Sequence, residues 1–335
     1  MKQQLGKTLR LAVLLSAVSI LLQGCKASGN EPRGAAGQPP FMSTMAAAPP
    51  QTADDALPPG QTGGFDGKRA FAQVAKQVGF GPRPAGSQAI TQLQDYLQSE
   101  LKSYGCTVET DNFSADTPAG RLPMKNILVK IPGEKPGIIL LGTHYDTKRL
   151  ENFVGADDAG SSTAVMLELA RLLCPQHSRY AVWIAFFDAE EAVNWEWKDP
   201  DNCYGSRQMA ARLAASGDLA KVKAFLLADI VGGRRPHFKR ESYSTKWLVD
   251  LVWATAKKLG YGNIFLDSSS EVEDDHQSFL KRNVPSVDVI DLDNGPDGDV
   301  YYWHTPQDSL DKISAKTLGI VGHVFLESVK QLQSR

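Results

Sequence analysis

The chain has little cysteine, with four residues in 335 and none spaced as CxxC. That excludes a zinc site built from paired thiolates. It also has little excess of charge, since 36 Lys and Arg stand against 38 Asp and Glu. A basic nucleic-acid footprint and a polybasic membrane patch are both excluded by that balance. No internal repeat is present. The apolar run LAVLLSAVSILL at 11–22 is too short to span a bilayer comfortably. What remains is an ordinary globular composition, 42% hydrophobic, long enough for one large domain or two small ones.

The first residues do not belong to that body. MKQQLGKTLR carries positive charge, the apolar run follows, and LQGC closes it. This is the layout of a secretory signal peptide over residues 1–24. A cysteine directly after small residues is similar to the bacterial lipoprotein lipobox. The resemblance implies cleavage before Cys25 and a lipid on it, although Gln23 is not the small residue usual there. The alternative is a plain export signal with a chance cysteine. Lys26, in place of the aspartate that retains lipoproteins at the inner membrane, favours the outer membrane if the envelope is Gram-negative. The expected location is therefore the bacterial cell envelope, with the chain held to a membrane through its lipid. Residues 25–65 are rich in Pro, Ala, Gly, Ser and Gln, and such a stretch buries too little apolar surface to order itself. It reads as a tether, leaving 66–335 as a single catalytic domain. Of the remaining cysteines, Cys106, Cys174 and Cys203, at most two pair, and the sequence does not say which.

From residue 66 onward helical and strand patterns alternate. FAQVAKQV and ITQLQDYLQSELKSYG carry apolar residues at helical spacing, with Gly105 placed as a stop. CTVETDNF and KNILVKI read as strands, and GIILLGTHYD and YAVWIAFF as strands buried on both faces. SSTAVMLELARLL reads as a helix with a serine cap, and YGSRQMAARLAA and STKWLVDLVWATAKKLG as further helices. VKAFLLADIVGG and VPSVDVIDL read as strands, and 309–332 as a closing helix. The alternation predicts a three-layer αβα sandwich with a mostly parallel, mixed central sheet.

In such a sheet the ligand site lies beyond the carboxyl ends of the strands. Polar residues gather there: His144 and Asp146 after GIILLGT, Asp188, Glu190 and Glu191 after IAFF, Asp229 after FLLA, and His304 in YYWHT. Two adjacent glutamates at one strand end read, in isolation, as a solvated loop. Four strand ends carrying His, Asp or Glu instead suggest a site for a cation. A catalytic zinc takes three His or carboxylate ligands and keeps a fourth position open. Asp158, Glu191 and His304 are the candidates, with Glu190 left free for acid–base work.

The ordered set HYD, FVGADDAG, FFDAEEA, YGSR, LLAD, EDDH, FLKRNVPSV and WHT resembles the animal-type glutaminyl cyclases, which share a fold with the zinc aminopeptidases. The match runs through roughly all of 66–335. It implies a zinc-dependent glutaminyl-peptide cyclotransferase with one Zn2+ per chain, held by Asp158, Glu191 and His304. It implies Glu190 as the proton shuttle and Asp229 with Asp274 as a hydrogen-bonded supporting pair. Trp303 matches a wall of the glutamine pocket, and Trp195 and Trp197 both lie near the position of the second wall. His144 matches a histidine near the metal. The implied substrates are peptides or proteins with N-terminal Gln. Nothing in the sequence sets the oligomeric state, and a monomer is the default expectation. A family histidine aligns with Asp288, the loop 291–301 is more acidic than the family's, and Thr143 stands where animal members have a disulfide cysteine.

The rival is a two-zinc aminopeptidase of the same fold, in which His144 and Asp229 hold a second metal. Asp146 favours neither. A non-catalytic peptide-binding lipoprotein is the third reading. One-residue shifts, Asp157 for Asp158 and Asp275 for Asp274, stay open. His276 is either a neighbour of the site or a helix-start residue. His177 and His237 read as loop surface, His323 as packing or surface, and Trp247 and Trp253 as core.

Overall fold

The computed structural model describes residues 55–292 and 302–335. The expected signal peptide, Cys25, the tether up to 54 and most of the acidic loop, from 293 to 301, lie outside the described residues.

Among the described residues, seven α-helices and eight strands follow in order: α1 (Gly67–Val78), α2 (Gln88–Ser103), β1 (Val108–Thr117), β2 (Gly120–Ile131), β3 (Gly133–His144), α3 (Gly160–Leu173), β4 (Ser178–Phe187), α4 (Tyr204–Ser216), β5 (Val222–Asp229), β6 (Phe238–Glu241), α5 (Lys246–Lys258), β7 (Phe265–Ser270), α6 (His276–Leu280), β8 (Ser286–Ile290) and α7 (Ala315–Gln333). Six strands form the central sheet in the order β1-β2-β4-β3-β5-β8. β4, β3, β5 and β8 run parallel. β1 and β2 add an antiparallel hairpin at one edge. The sheet is mixed, as the alternation implied.

Period-two burial explains why the central strands are apolar throughout. Ile139, Leu141, Ile184, Phe186, Leu226 and Val287 face the layer of α1, α2, α3, α5 and α7. Leu140, Trp183, Ala185, Phe187, Phe225 and Leu227 face α4 and α6. Each strand is covered on both sides, so neither face can be polar.

Five local expectations change. The tether ends earlier than composition suggested: Thr62 and Phe65 are fully buried, and Ala56 and Leu57 pack on the core. Asp55 accepts hydrogen bonds from Ser314 Oγ and the Ala315 amide, at the start of α7. α3 has no side-chain cap; the hydroxyls of Ser161 and Ser162 are spent on the Asp157 carbonyl and on Thr143. The closing helix begins at Ala315, where Ser314 caps Thr317, and the preceding residues 310–312 form a separate 3-10 turn. A short parallel pair, β6–β7, was not expected. Trp253 is buried as predicted, but Trp247 is 38% exposed with the Arg335 guanidinium over its ring. Cys106 and Cys174 form a disulfide, and Cys203 is a buried free thiol. Among the described residues no helix is long and apolar enough to cross a membrane.

Candidate active site and metal centre

The parallel strands deliver their last residues to one edge. His144 ends β3 and Asp229 ends β5; Glu190 and Glu191 lie just past β4, and Asp158 just before α3. His304 comes from the loop between β8 and α7, and Asp274 from the loop between β7 and α6. Asp188, the first polar residue after β4, turns away: its Oδ2 accepts from the Lys125 amide and from Gln94. Glu190 and Glu191 turn inward after Ala189, whose φ is +57°. Ile230 and His304 also adopt positive φ, +46° and +53°. Non-glycine residues hold such angles only where surrounding contacts impose them.

Asp158, Glu191 and His304 each offer one donor atom, and the three atoms lie within 4.8 Å of one another. His304 Nε2 is 3.0 Å from Glu191 Oε1 and 3.3 Å from Asp158 Oδ2. Glu191 Oε2 is buried with no hydrogen-bond partner, and the nearby cation Lys148 stands 3.7 Å from it. Two buried carboxylates converging on an imidazole, one oxygen left over, form a donor set that fits a zinc-like dication. Asp157 is committed elsewhere: its oxygens accept from the Gly232 amide at 2.7 Å and from the Tyr302 hydroxyl at 2.7 Å.

A second group shares Asp158. His144, Asp158 and Asp229 also place donor atoms within 4.8 Å of one another. His144 Nε2 is 3.0 Å from Asp229 Oδ1 and 3.2 Å from Asp158 Oδ1. Burial lowers the His144 pKa, but the charges of Asp229 and Glu190 with hydrogen bonds to Asp146 and Asp158 lift it well above the ordinary value. Burial likewise disfavours charge on His304, and Glu191 with Asp158 raises it to about 10. Asp158 would be raised by burial, yet its hydrogen bonds to these two imidazoles hold it below the usual carboxylate range. Burial pushes Glu191 up, and the charge of Asp158 adds to that. A dication among them reverses this logic, favouring bare carboxylates and neutral imidazole.

Glu190 is 6% exposed, and burial raises it well above a normal glutamate, against the pull of His144 and with the help of Asp274 and Glu191. Asp146 is neither metal-facing nor idle. Its oxygens accept from the Glu190 amide at 3.0 Å and the Glu191 amide at 3.4 Å, which fixes the turn that presents both glutamates. Asp274, not Asp275, lines the cavity beside them. Its pKa rises to about 6 through burial and the charge of Asp229. The expected hydrogen bond between Asp229 and Asp274 is not made: Asp229 bonds to His144, Asp274 Oδ1 accepts from the Asp275 amide and its Oδ2 has no partner, so Asp229 acts on Asp274 through charge.

These groups open into a cavity of about 750 Å³ whose walls include Trp195, Trp197 and Trp303. Trp303 stacks on the His304 ring with centroids 4.0 Å apart, and Trp195, 71% exposed, meets the same ring edge-on at 6.5 Å. His276 is fully buried and bonds to Glu241, not to solvent. Sequence reasoning missed Asp308, whose oxygens accept from the Asp157 and Asp158 amides at 2.7 and 3.1 Å. It also missed Lys148 and Arg83. The Arg83 guanidinium is buried and spans the carbonyls of Gln77, Gly81, Val154 and Gly155. Lys148, four residues after His144 in HYDTK, was the one legible signal among them.

A mostly parallel sheet with carboxylates and imidazole converging at its carboxyl edge defines a metal-dependent α/β enzyme of the zinc-aminopeptidase type. Residues 126–329 match the model of peptidase family M28. The glutaminyl-peptide cyclotransferase of Drosophila melanogaster is 29% identical over 275 residues, covering 73% of this chain and 76% of that protein. The crystal structure of an Acidobacteriales bacterium glutaminyl cyclase superposes with a TM-score of 0.76 at 40% identity, covering 81% of this chain and 96% of that one. A Zn-dependent exopeptidase from Parabacteroides distasonis superposes at 0.71 with 31% identity, covering 78% and 97%. The chain belongs to peptidase family M28, on the side of it that the glutaminyl cyclases occupy.

Proposed function

We propose that this chain is a glutaminyl-peptide cyclotransferase, converting N-terminal glutamine of peptides or proteins to pyroglutamate with release of ammonia. The observation that carries the reading is one cavity in which Asp158, Glu191 and His304 converge while Glu190 stays outside the donor set. One zinc ion is held by these three residues in the proposal. When bound it supplies Lewis-acid polarisation of the γ-carboxamide carbonyl.

The rest falls to the protein. The substrate's own α-amine is the nucleophile, so selecting a folded-back conformer recovers the entropy of bringing the ends together. Trp303, with Trp195 or Trp197 opposite, walls the glutamine side chain. Glu190, buried and with its pKa raised by that burial, takes a proton from the attacking amine and returns it to the departing ammonia. Asp274 and Asp229 orient the amine and the shuttle. Bonds balance: one C–N bond forms, one breaks, and the proton count is unchanged.

The two-zinc peptidase remains a second reading because His144, Asp158 and Asp229 also converge. The deciding experiment incubates the purified protein with a Gln-initiated peptide, measuring ammonia, free amino acids and zinc per chain. Ammonia with one zinc supports the cyclase. Free amino acids with two zincs, falling to one in His144→Asn, would overturn it.

Export, a lipid on Cys25, an outer-membrane address and a monomeric state belong to the same proposal. The N-terminal layout supports the first three, and the Cys106–Cys174 disulfide suits an oxidising compartment. Metabolic labelling with a fatty acid, lost in Cys25→Ala, tests the anchor, and light scattering of the soluble body tests the monomer.

A further inference from the structure

We propose that Glu241 is a positioning residue for Asp274, clamping the loop that carries it from both sides. The inference rests on the cyclase reading, in which Asp274 touches the substrate or the shuttle.

Glu241 ends β6, is 2% exposed, and does not line the cavity. Its Oε1 accepts from the Tyr243 amide at 2.8 Å and the Val272 amide at 3.4 Å. Its Oε2 accepts from the Ser244 amide at 2.7 Å and the Ser244 hydroxyl at 2.8 Å, and lies 3.1 Å from His276 Nε2. Val272 and His276 stand two residues before and two after Asp274. A single carboxylate therefore grips both flanks of that position.

The loop needs such a grip. Residues 271–275 have no regular structure, and α6 is only five residues long. Asp274 does little to fix itself: Oδ1 accepts from the Asp275 amide, and Oδ2 is buried without a partner. The direction of its carboxyl is set by the backbone. The clamp is tied in turn to the central sheet, because the Ser244 hydroxyl accepts from the Asp288 amide of β8 at 3.1 Å. Burial alone would raise Glu241, yet its hydrogen bonds, His276 first, keep it below the ordinary glutamate range. The carboxylate stays charged, and charged acceptors make the stronger bonds.

An amide cannot do the same work. Glu241→Gln keeps the volume but has one acceptor oxygen, so its NH2 faces either the Tyr243 and Val272 amides or the Ser244 and His276 donors. His276→Leu, which has no donor, cuts the rear anchor and leaves Glu241's other four bonds. Ser244→Ala removes one bond to Glu241 and the tie to the Asp288 amide, but neither flank contact. The full-length enzyme and these three variants are assayed with a Gln-initiated peptide, and zinc, folding and kinetics are measured together. The expected result is about a tenfold or greater fall in kcat for Glu241→Gln and His276→Leu, with KM within roughly threefold and zinc content unchanged. Ser244→Ala should lose thermal stability while keeping its kcat. If kcat per zinc-loaded molecule matches wild type in both clamp variants, Glu241 serves folding alone and the inference is overturned. If Ser244→Ala loses kcat as much as the others, the effect is general loosening, which overturns it too. If the wild-type protein releases no ammonia, the cyclase reading itself fails.

Discussion

Replacing Glu190 with glutamine removes a proton carrier and almost nothing else. The side chain keeps its shape, and the turn stays pinned because Asp146 binds the backbone amides of Glu190 and Glu191. Glu190 is outside the Asp158–Glu191–His304 donor group, so zinc content should hold. A positioned acid–base group contributes about 10²- to 10⁴-fold, which is about 3–5 kcal/mol of barrier. Burial raises the pKa of Glu190 above that of an ordinary glutamate, the direction that suits an acid–base group. We expect kcat to fall about 10³-fold, measured as ammonia released per zinc-loaded molecule. Thermal stability should change little, because the neutral amide loses the attraction of His144, 3.7 Å away, together with repulsion from Asp274 and Glu191. A variant that keeps its zinc and works within about threefold of wild type would show that another group moves the proton, and the role assignment would be wrong.

Further outcomes follow from other parts of the molecule. Asp188 is pushed up to about 7 by burial and then by the charge of Asp146. Its folded pKa lies above its unfolded one, so its contribution is present below about pH 4 and is lost as pH rises through about 7, at most about 4 kcal/mol. The thermal midpoint of Asp188→Asn should therefore vary less between about pH 5 and 8 than that of wild type, and an unchanged slope counts against a buried neutral acid. Trp303→Ala removes a wall of the cavity; in the proposed reading two glutamine methylenes pack on it, worth about 0.8 kcal/mol each, so KM should rise roughly tenfold, and no change in KM would exclude that wall. Gly322→Ala places a methyl 2.2 Å from two ring carbons of Phe65. Overpacking of this kind costs about 1–3 kcal/mol, and a thermal midpoint within a degree of wild type would mean Phe65 is not held there.

The central fold was legible because strands buried on both faces must be apolar from end to end, and the runs IILLG and VWIAFF say so directly. The metal-binding candidates were legible for a related reason. Charged residues at or close after the ends of such runs, as at Glu191 and Asp229, have nowhere to go but the sheet's carboxyl edge. Asp308 was not legible, since its worth depends on two amides 150 residues earlier in the chain. The commitment of Asp157 to Tyr302 was hidden for the same reason. Asp188 and Glu190 look alike on paper; which one faces the cavity depends on a turn through Ala189 that composition does not reveal. The edge of the body was misplaced because Phe65 is a lone aromatic among Pro and Gly, too sparse to give a period.

That misplaced edge matters to anyone trimming the molecule. A soluble form begun at residue 66, where the amino-acid usage changes, would discard Phe65, which sits against Gly322 in the middle of α7, and Asp55, which holds the amide of Ala315. It would leave a hole beneath the last helix and an untied helix start next to the segment that leads back to His304. Poor zinc retention or low yield from such a shortened version would then report on the missing strap, and say nothing against the chemistry.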